Sequence, residues 1–140
     1  MSQENVEIVR AFTRAFNEQD VERIVSLCDP DVEFHSTFAA VGGADYRGHD
    51  GVREWQRDFQ DTWGGIHSDV EAIYDLGDDV LTFTLIKGQA KHSGVDVELA
   101  AAIVTRVENG RIVSFKGYAH REDALRDLGV SEDVLEPIAP

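Results

Sequence analysis

At Ile66 the spacing of the apolar residues changes, and that change fixes the class of fold. Upstream, Val6, Val9, Phe12 and Phe16 recur at helical spacing, and Val52, Trp55, Phe59 and Trp63 fall on one face of a second, longer helix. Downstream, apolar and polar residues alternate through Ile66–Leu76, Val80–His92, Val95–Val107 and Arg111–His120. Gly77-Asp78-Asp79, Ser93-Gly94 and Asn109-Gly110 separate these runs, and the last is a strong hairpin signal. Helices followed by an antiparallel meander predict an α+β fold.

The remaining elements follow from local signals. Asp20 is placed to cap a short helix whose Val21, Ile24, Val25 and Cys28 share a face, and Asp29-Pro30 ends it. A strand over Asp31–Ser36 is expected next, then a loop over 37–48 containing Gly42, Gly43 and Gly48. Gly64-Gly65 reads as the end of the long helix, and Arg121–Leu128 as a last helix stopped by Gly129. No repeat or linker interrupts the pattern. It predicts a single domain over 1–129 and a C-terminal tail over 130–140 with a final helical turn.

Composition bounds the function. With 42% hydrophobic and 29% charged residues, the 140-residue chain reads as globular. Its 27 acidic residues against 13 basic give a net charge of −14, which argues against nucleic acid or an anionic membrane surface as a partner. Met1–Arg10 has no basic-then-apolar leader pattern, so a cytoplasmic location is expected. The lone Cys28 rules out an intrachain disulfide and sits where a small buried hydrophobe belongs. No His-Glu-x-x-His, calcium-loop, phosphate-loop or Gly-x-Ser-x-Gly pattern occurs, so no metal or cofactor is expected.

Two polar residues alternate with two apolar ones in Val32-Glu33-Phe34-His35. On one strand face, Glu33 and His35 lie roughly 7 Å apart. If that face is covered, an acid and an imidazole form a proton-transfer site. If it is solvated, they are ordinary surface groups. His92, before Ser93-Gly94, is a second candidate for delivering a proton, with Glu98 on the facing strand as its possible partner. Phe12, Trp55, Phe59, Phe115 and Ala119 are candidate pocket walls, and small residues such as Gly88, Ala100 and Ala102 would leave room for a flat apolar ligand. A core packed shut by the same aromatic residues is the alternative. Leu99–Val104 is apolar on both faces, so the outer sheet face needs cover, and a homodimer packed through that face would supply it.

These motifs resemble the nuclear transport factor 2-like superfamily, and within it the SnoaL-like group named for polyketide cyclases. The matching residues are Phe16-Asn17-Glu18-Gln19-Asp20, Asp29–His35, Tyr46–Val52, Glu108–Val113 and Tyr118–Gly129. The resemblance implies a cystatin-like curved antiparallel sheet wrapped around a long helix, forming a cone with an internal pocket. It would turn Glu33 and His35 inward, with His35 where similar ketosteroid isomerases carry their proton-transferring Asp. The oxyanion-binding Tyr and Asp of those enzymes map onto Phe12 and Ala100, which donate no hydrogen bond. The expected function is binding of an apolar small molecule. It carries cofactor-free isomerase, cyclase or dehydratase chemistry if His35, Glu33 and His92 serve the pocket; the alternatives are a non-catalytic carrier or sensor and a dimeric module with a filled core.

Overall fold

The computed structural model describes residues 2–36 and 44–138; the glycines expected in the loop at 42 and 43 lie outside them. The elements run α1 (Ser2–Asn17), α2 (Val21–Leu27), β1 (Cys28–Ser36), β2 (Ala44–Arg47), α3 (Gly48–Thr62), β3 (Trp63–Asp75), β4 (Asp79–Ala90), β5 (Asp96–Glu108), β6 (Arg111–Tyr118) and α4 (Arg121–Leu128), then a 3-10 turn at Glu132–Val134. Asp20 caps α2 by accepting from the Arg23 amide at 3.2 Å. Gly129 ends α4 at φ 68°, and Asn109 and Gly110 both take positive φ, as a tight hairpin requires.

All six strands join one sheet in the order β2-β1-β6-β5-β4-β3. β3 to β6 form the expected antiparallel meander. The sheet as a whole is mixed, because β1 pairs parallel with β6, setting Phe34 beside Phe115 and His35 beside Lys116. Several boundaries differ from the sequence reading. Cys28 does not belong to α2 but opens β1, so Asp29-Pro30 lies inside the strand instead of ending the helix. Gly64 and Gly65 do not end α3; they lie inside β3, where the register slips between Gly64 and His67 and Gly65 takes φ 61°. The short strand β2 occupies part of the expected loop.

The two faces of the sheet carry different cores. On the inner face α1, α2 and α3 enclose a cluster centred on Phe12, Phe34, Trp55, Phe59 and Phe115. On the outer face α4 and the C-terminal segment cover Leu81, Phe83, Ala102 and Val104 through Ala124, Leu125, Leu128 and Leu135. The cover for which the sequence calls on a second copy at Ala102 and Val104 thus comes from the chain itself. Arg121 anchors α4: its guanidinium donates to the carbonyls of Ala101 and Thr84 at 3.2 Å each, pairs with Glu71, and stands 4.8 Å over the Phe83 ring. The tail is packed rather than loose, since the Ile138 amide donates to the Ile73 carbonyl at 2.7 Å. No helix among the described residues is long and apolar enough to cross a membrane.

Candidate functional site

Alternation along β4 turns Val80, Thr82, Thr84 and Ile86 toward the helices and Leu81 and Phe83 toward α4. Thr82 and Ile86, with Ile103 and Thr105 of β5 and Phe115 of β6, form the floor of an inner chamber. Helix α1 contributes Val9, Phe12, Thr13 and Phe16, one stripe at helical spacing, and α3 contributes Trp55 and Phe59. The aromatic rings fill most of the space. Phe34 and Phe115 stack at 4.7 Å, Trp55 meets Phe34 edge-on at 5.1 Å, and Phe12 stacks on Phe115 at 5.0 Å. The void left between them is about 20 Å³, room for about one water molecule.

None of the side chains lining this chamber is a carboxylate, an imidazole or a cation. It holds hydroxyls and one indole instead. Thr13 donates its hydroxyl to the Val9 carbonyl at 3.1 Å, and the hydroxyls of Ser68 and Thr84 meet at 2.5 Å. Trp55 Nε1 and Thr82 Oγ1 are different: both are buried and neither has a hydrogen-bond partner among the described residues. Such groups cost roughly 1–3 kcal/mol each when left unmatched.

Beside the chamber lies a second, apolar hollow of about 240 Å³, lined by Trp63, Ile66, Gly88, Val97 and Leu99. Ile86 is a wall of both spaces. Gly88 brings the strands close here: a β-carbon on it would stand 3.4 Å from the Ile66 α-carbon.

Glu33 and His35 are not in the chamber. Val32 and Phe34 are fully buried on the inner face, so alternation sends Glu33 and His35 to the outer one, where their side chains are 42% and 40% exposed. The physical reason is the aromatic cluster: the inner face takes the apolar pair of the motif, and the polar pair must face away. On the outer face β2 completes a small polar array. His35 Nδ1 lies 2.7 Å from Asp45 Oδ1, His35 Nε2 lies 3.9 Å from Glu33 Oε2, and Arg47 pairs with Glu33. Ser114 and Lys116 of β6 are the register partners of Glu33 and His35. Glu33, His35, Ser114 and Lys116, with Arg106, Tyr118 and Asp127, line an open depression of about 420 Å³. Asp45 escaped the sequence reading because it lies in the segment expected to be loop; the alternation of Asp45, Tyr46 and Arg47 was the available signal.

The other expected residues scatter. His92 sits exposed in the β4–β5 turn, Glu98 faces Lys87 on the exposed side of β5, and the two do not meet. Ala100 is exposed on the outer face, while its neighbour Ala101 is the buried one. Ala119 follows β6 and does not line the chamber; Phe12, Trp55, Phe59 and Phe115 do. Cys28 is buried, and burial followed by the nearby Asp29 carboxylate pushes its thiol up to about 12. Tyr46 donates to Asp58 at 2.5 Å, and burial together with that carboxylate holds its phenol well above the usual range.

The sequence profile of the SnoaL-like domain family matches residues 9–115. No curated protein matches the chain by sequence. Among solved structures, an NTF2-like protein of unknown function from Burkholderia pseudomallei superposes with a TM-score of 0.76 at 22% identity, covering 88% of this chain and 95% of its own. A Catenulispora acidiphila protein with a ketosteroid isomerase-like fold, solved with trimethylamine, gives 0.73 at 21% identity over 96% of this chain and 98% of its own. A putative SnoaL-like polyketide cyclase from Jannaschia gives 0.73 at 14% identity over 84% and 85%. At these identities the likeness is one of fold.

Proposed function

The chain belongs to the SnoaL-like domain family, and from that premise we propose that it binds a small, flat, apolar molecule between the helices and the sheet without transferring a proton there. The observation that carries this reading is the lining of the inner chamber. Aromatic and aliphatic walls surround four hydroxyls and one indole, and none of the lining side chains is an acid or base that titrates near neutral pH. Acid–base chemistry needs a titratable group within hydrogen-bond reach of the reacting atom, and the candidates His35 and Glu33 face away. The hollow beyond Ile86 supplies the volume that the chamber lacks. A ligand seated there touches Trp63, Ile66, Val97 and Leu99 before its tip reaches the chamber. Titration with naphthalene, followed through the side-chain methyl NMR signals, tests the reading. Saturable shifts confined to Ile66, Ile86, Val97 and Leu99 are expected; a spectrum that does not move discards it.

The Asp45–His35 contact favours a second reading, in which the outer depression is an acid–base site. A carboxylate accepting from Nδ1 leaves Nε2 of the neutral ring to take a proton, as in other carboxylate-oriented histidines. Hydrolysis of p-nitrophenyl acetate reports on such a ring. The wild type would then be several-fold faster than His35→Ala, while His92→Ala would match the wild type. Equal rates for all three would remove this reading and leave the first untouched.

A further inference from the structure

We propose that the outer depression binds a free α-amino acid with an apolar side chain, its carboxylate held by Lys116 and Ser114 and its ammonium by Glu33 and His35. The inference is independent of the apolar ligand assigned to the inner hollow. It shares the depression with the acid–base reading but requires no proton transfer there.

Strand register sets the four residues in one block. β1 and β6 run parallel, so Glu33 stands beside Ser114 and His35 beside Lys116, about 4.8 Å apart across the pair. All four line the depression, whose other charges are already matched. Arg106 holds Asp79 through Nε at 3.0 Å and Nη2 at 3.2 Å, Tyr118 donates to Asp127 at 2.9 Å, and Arg47 pairs with Oε1 of Glu33. Two sets of groups remain. Among the described residues the Lys116 ammonium has no ion-pair partner and the Ser114 hydroxyl no hydrogen-bond partner. Both can donate to one carboxylate. Beside them His35 Nε2 and Glu33 Oε2 face each other at 3.9 Å, too far for a hydrogen bond. Asp45 takes the Nδ1 proton, so Nε2 of the neutral ring accepts, as Oε2 does. Two neighbouring acceptors call for a group that donates twice, and an ammonium does so. An α-amino acid carries carboxylate and ammonium on one carbon, so each reaches its own strand. It has no net charge, and so escapes the repulsion that a free anion meets at a chain of net charge −14. Val104 and Leu128 give its side chain an apolar wall.

L-Leucine, 4-methylpentanoate and 3-methylbutylamine share one side chain; the second lacks the ammonium and the third the carboxylate. Their dissociation constants are read from the backbone amide NMR shifts of β1 and β6 in the wild type, Lys116→Met and Glu33→Gln. Both side chains reach solvent, so the fold is expected to survive either change. L-Leucine is expected to bind the wild type about tenfold more tightly than either analogue, one charge-assisted hydrogen bond's worth. Lys116→Met is expected to weaken L-leucine and 4-methylpentanoate several-fold and to leave 3-methylbutylamine unchanged. Glu33→Gln is expected to weaken L-leucine and 3-methylbutylamine and to leave 4-methylpentanoate unchanged. Equal binding of the three probes, losses that do not sort by charge, or no shift with any probe would overturn the proposal. The p-nitrophenyl acetate rates of the wild type and His35→Ala decide the acid–base reading separately.

Discussion

Asp45 Oδ1 lies 2.7 Å from His35 Nδ1 across the β1–β2 pair, where the two residues are register partners. The carboxylate can only accept, so the neutral ring must carry its proton on Nδ1. Long-range nitrogen–proton correlation spectra are expected to show His35 in that tautomer, and Asp45→Ala to remove the bias. A His35 ring protonated on Nε2 in the wild type would contradict the contact.

Cys28 is expected to resist modification. Its thiol stays protonated to about pH 12 and is buried, whereas the reactive species is the exposed thiolate. At pH 8 a disulfide-exchange reagent should label the chain only as fast as it unfolds, and addition of urea should release the reaction. Immediate labelling of the folded protein would refute the packing around α2 and β1.

Stability should fall in the alkaline range, partly through Tyr118. Burial, and then the hydrogen bond to Asp127 at 2.9 Å, raise its phenol from 10 to about 12. The folded state therefore holds this proton more tightly than the unfolded chain does. The resulting stabilisation is whole below pH 10 and disappears as the pH climbs through 12. Urea midpoints taken between pH 9 and 12 should decline, and Tyr118→Phe should flatten the decline. An identical slope in the variant would exclude Tyr118 as a source.

Arg121→Ala should detach α4 from the sheet. It removes two charge-assisted hydrogen bonds to the carbonyls of Ala101 and Thr84, the Glu71 pair and the contact with the Phe83 ring. A loss of about 2–3 kcal/mol in urea unfolding is expected from bonds of this kind. Hydrogen exchange of the α4 amides should speed up before that of β4 and β5. A loss within experimental error would show that apolar packing alone holds the helix.

Phe34→Ala should be the costlier change, because the ring touches Phe12, Trp55 and Phe115. Removal of a fully buried phenyl typically costs about 3–5 kcal/mol. A variant as stable as the wild type would mean that the cluster is looser than its ring spacings indicate.

Helices, turns and the meander were legible because each has a strong local signature: the stripe of Val52, Trp55 and Phe59, the Asp20 cap, the Asn109-Gly110 turn. Three features were not. The four residues of β2 are too few to show a period, so Asp45 was overlooked. The parallel pairing of β1 with β6 joins segments distant in sequence, and nothing local announces it. The facing of β1 was decided by competition. Val32 and Phe34 could be buried beside Trp55 and Phe115 at a gain, whereas Glu33 and His35 could be buried only at a cost. Residue spacing alone weighs both faces equally, and the resemblance tipped the expectation the other way. The chamber walls Phe12, Trp55, Phe59 and Phe115 were readable as a stripe, but Thr82 was not, since its importance comes from what it lacks.

The side-by-side pairing of β1 with β6 has a consequence for how the protein is made. During synthesis Phe34 leaves the ribosome well before its stacking partner Phe115. Until then β1 has a greasy side and an unsatisfied edge exposed to solvent. Assembly must wait on a contact of long sequence separation, so refolding is expected to be slow for a domain of this size and to aggregate as concentration rises.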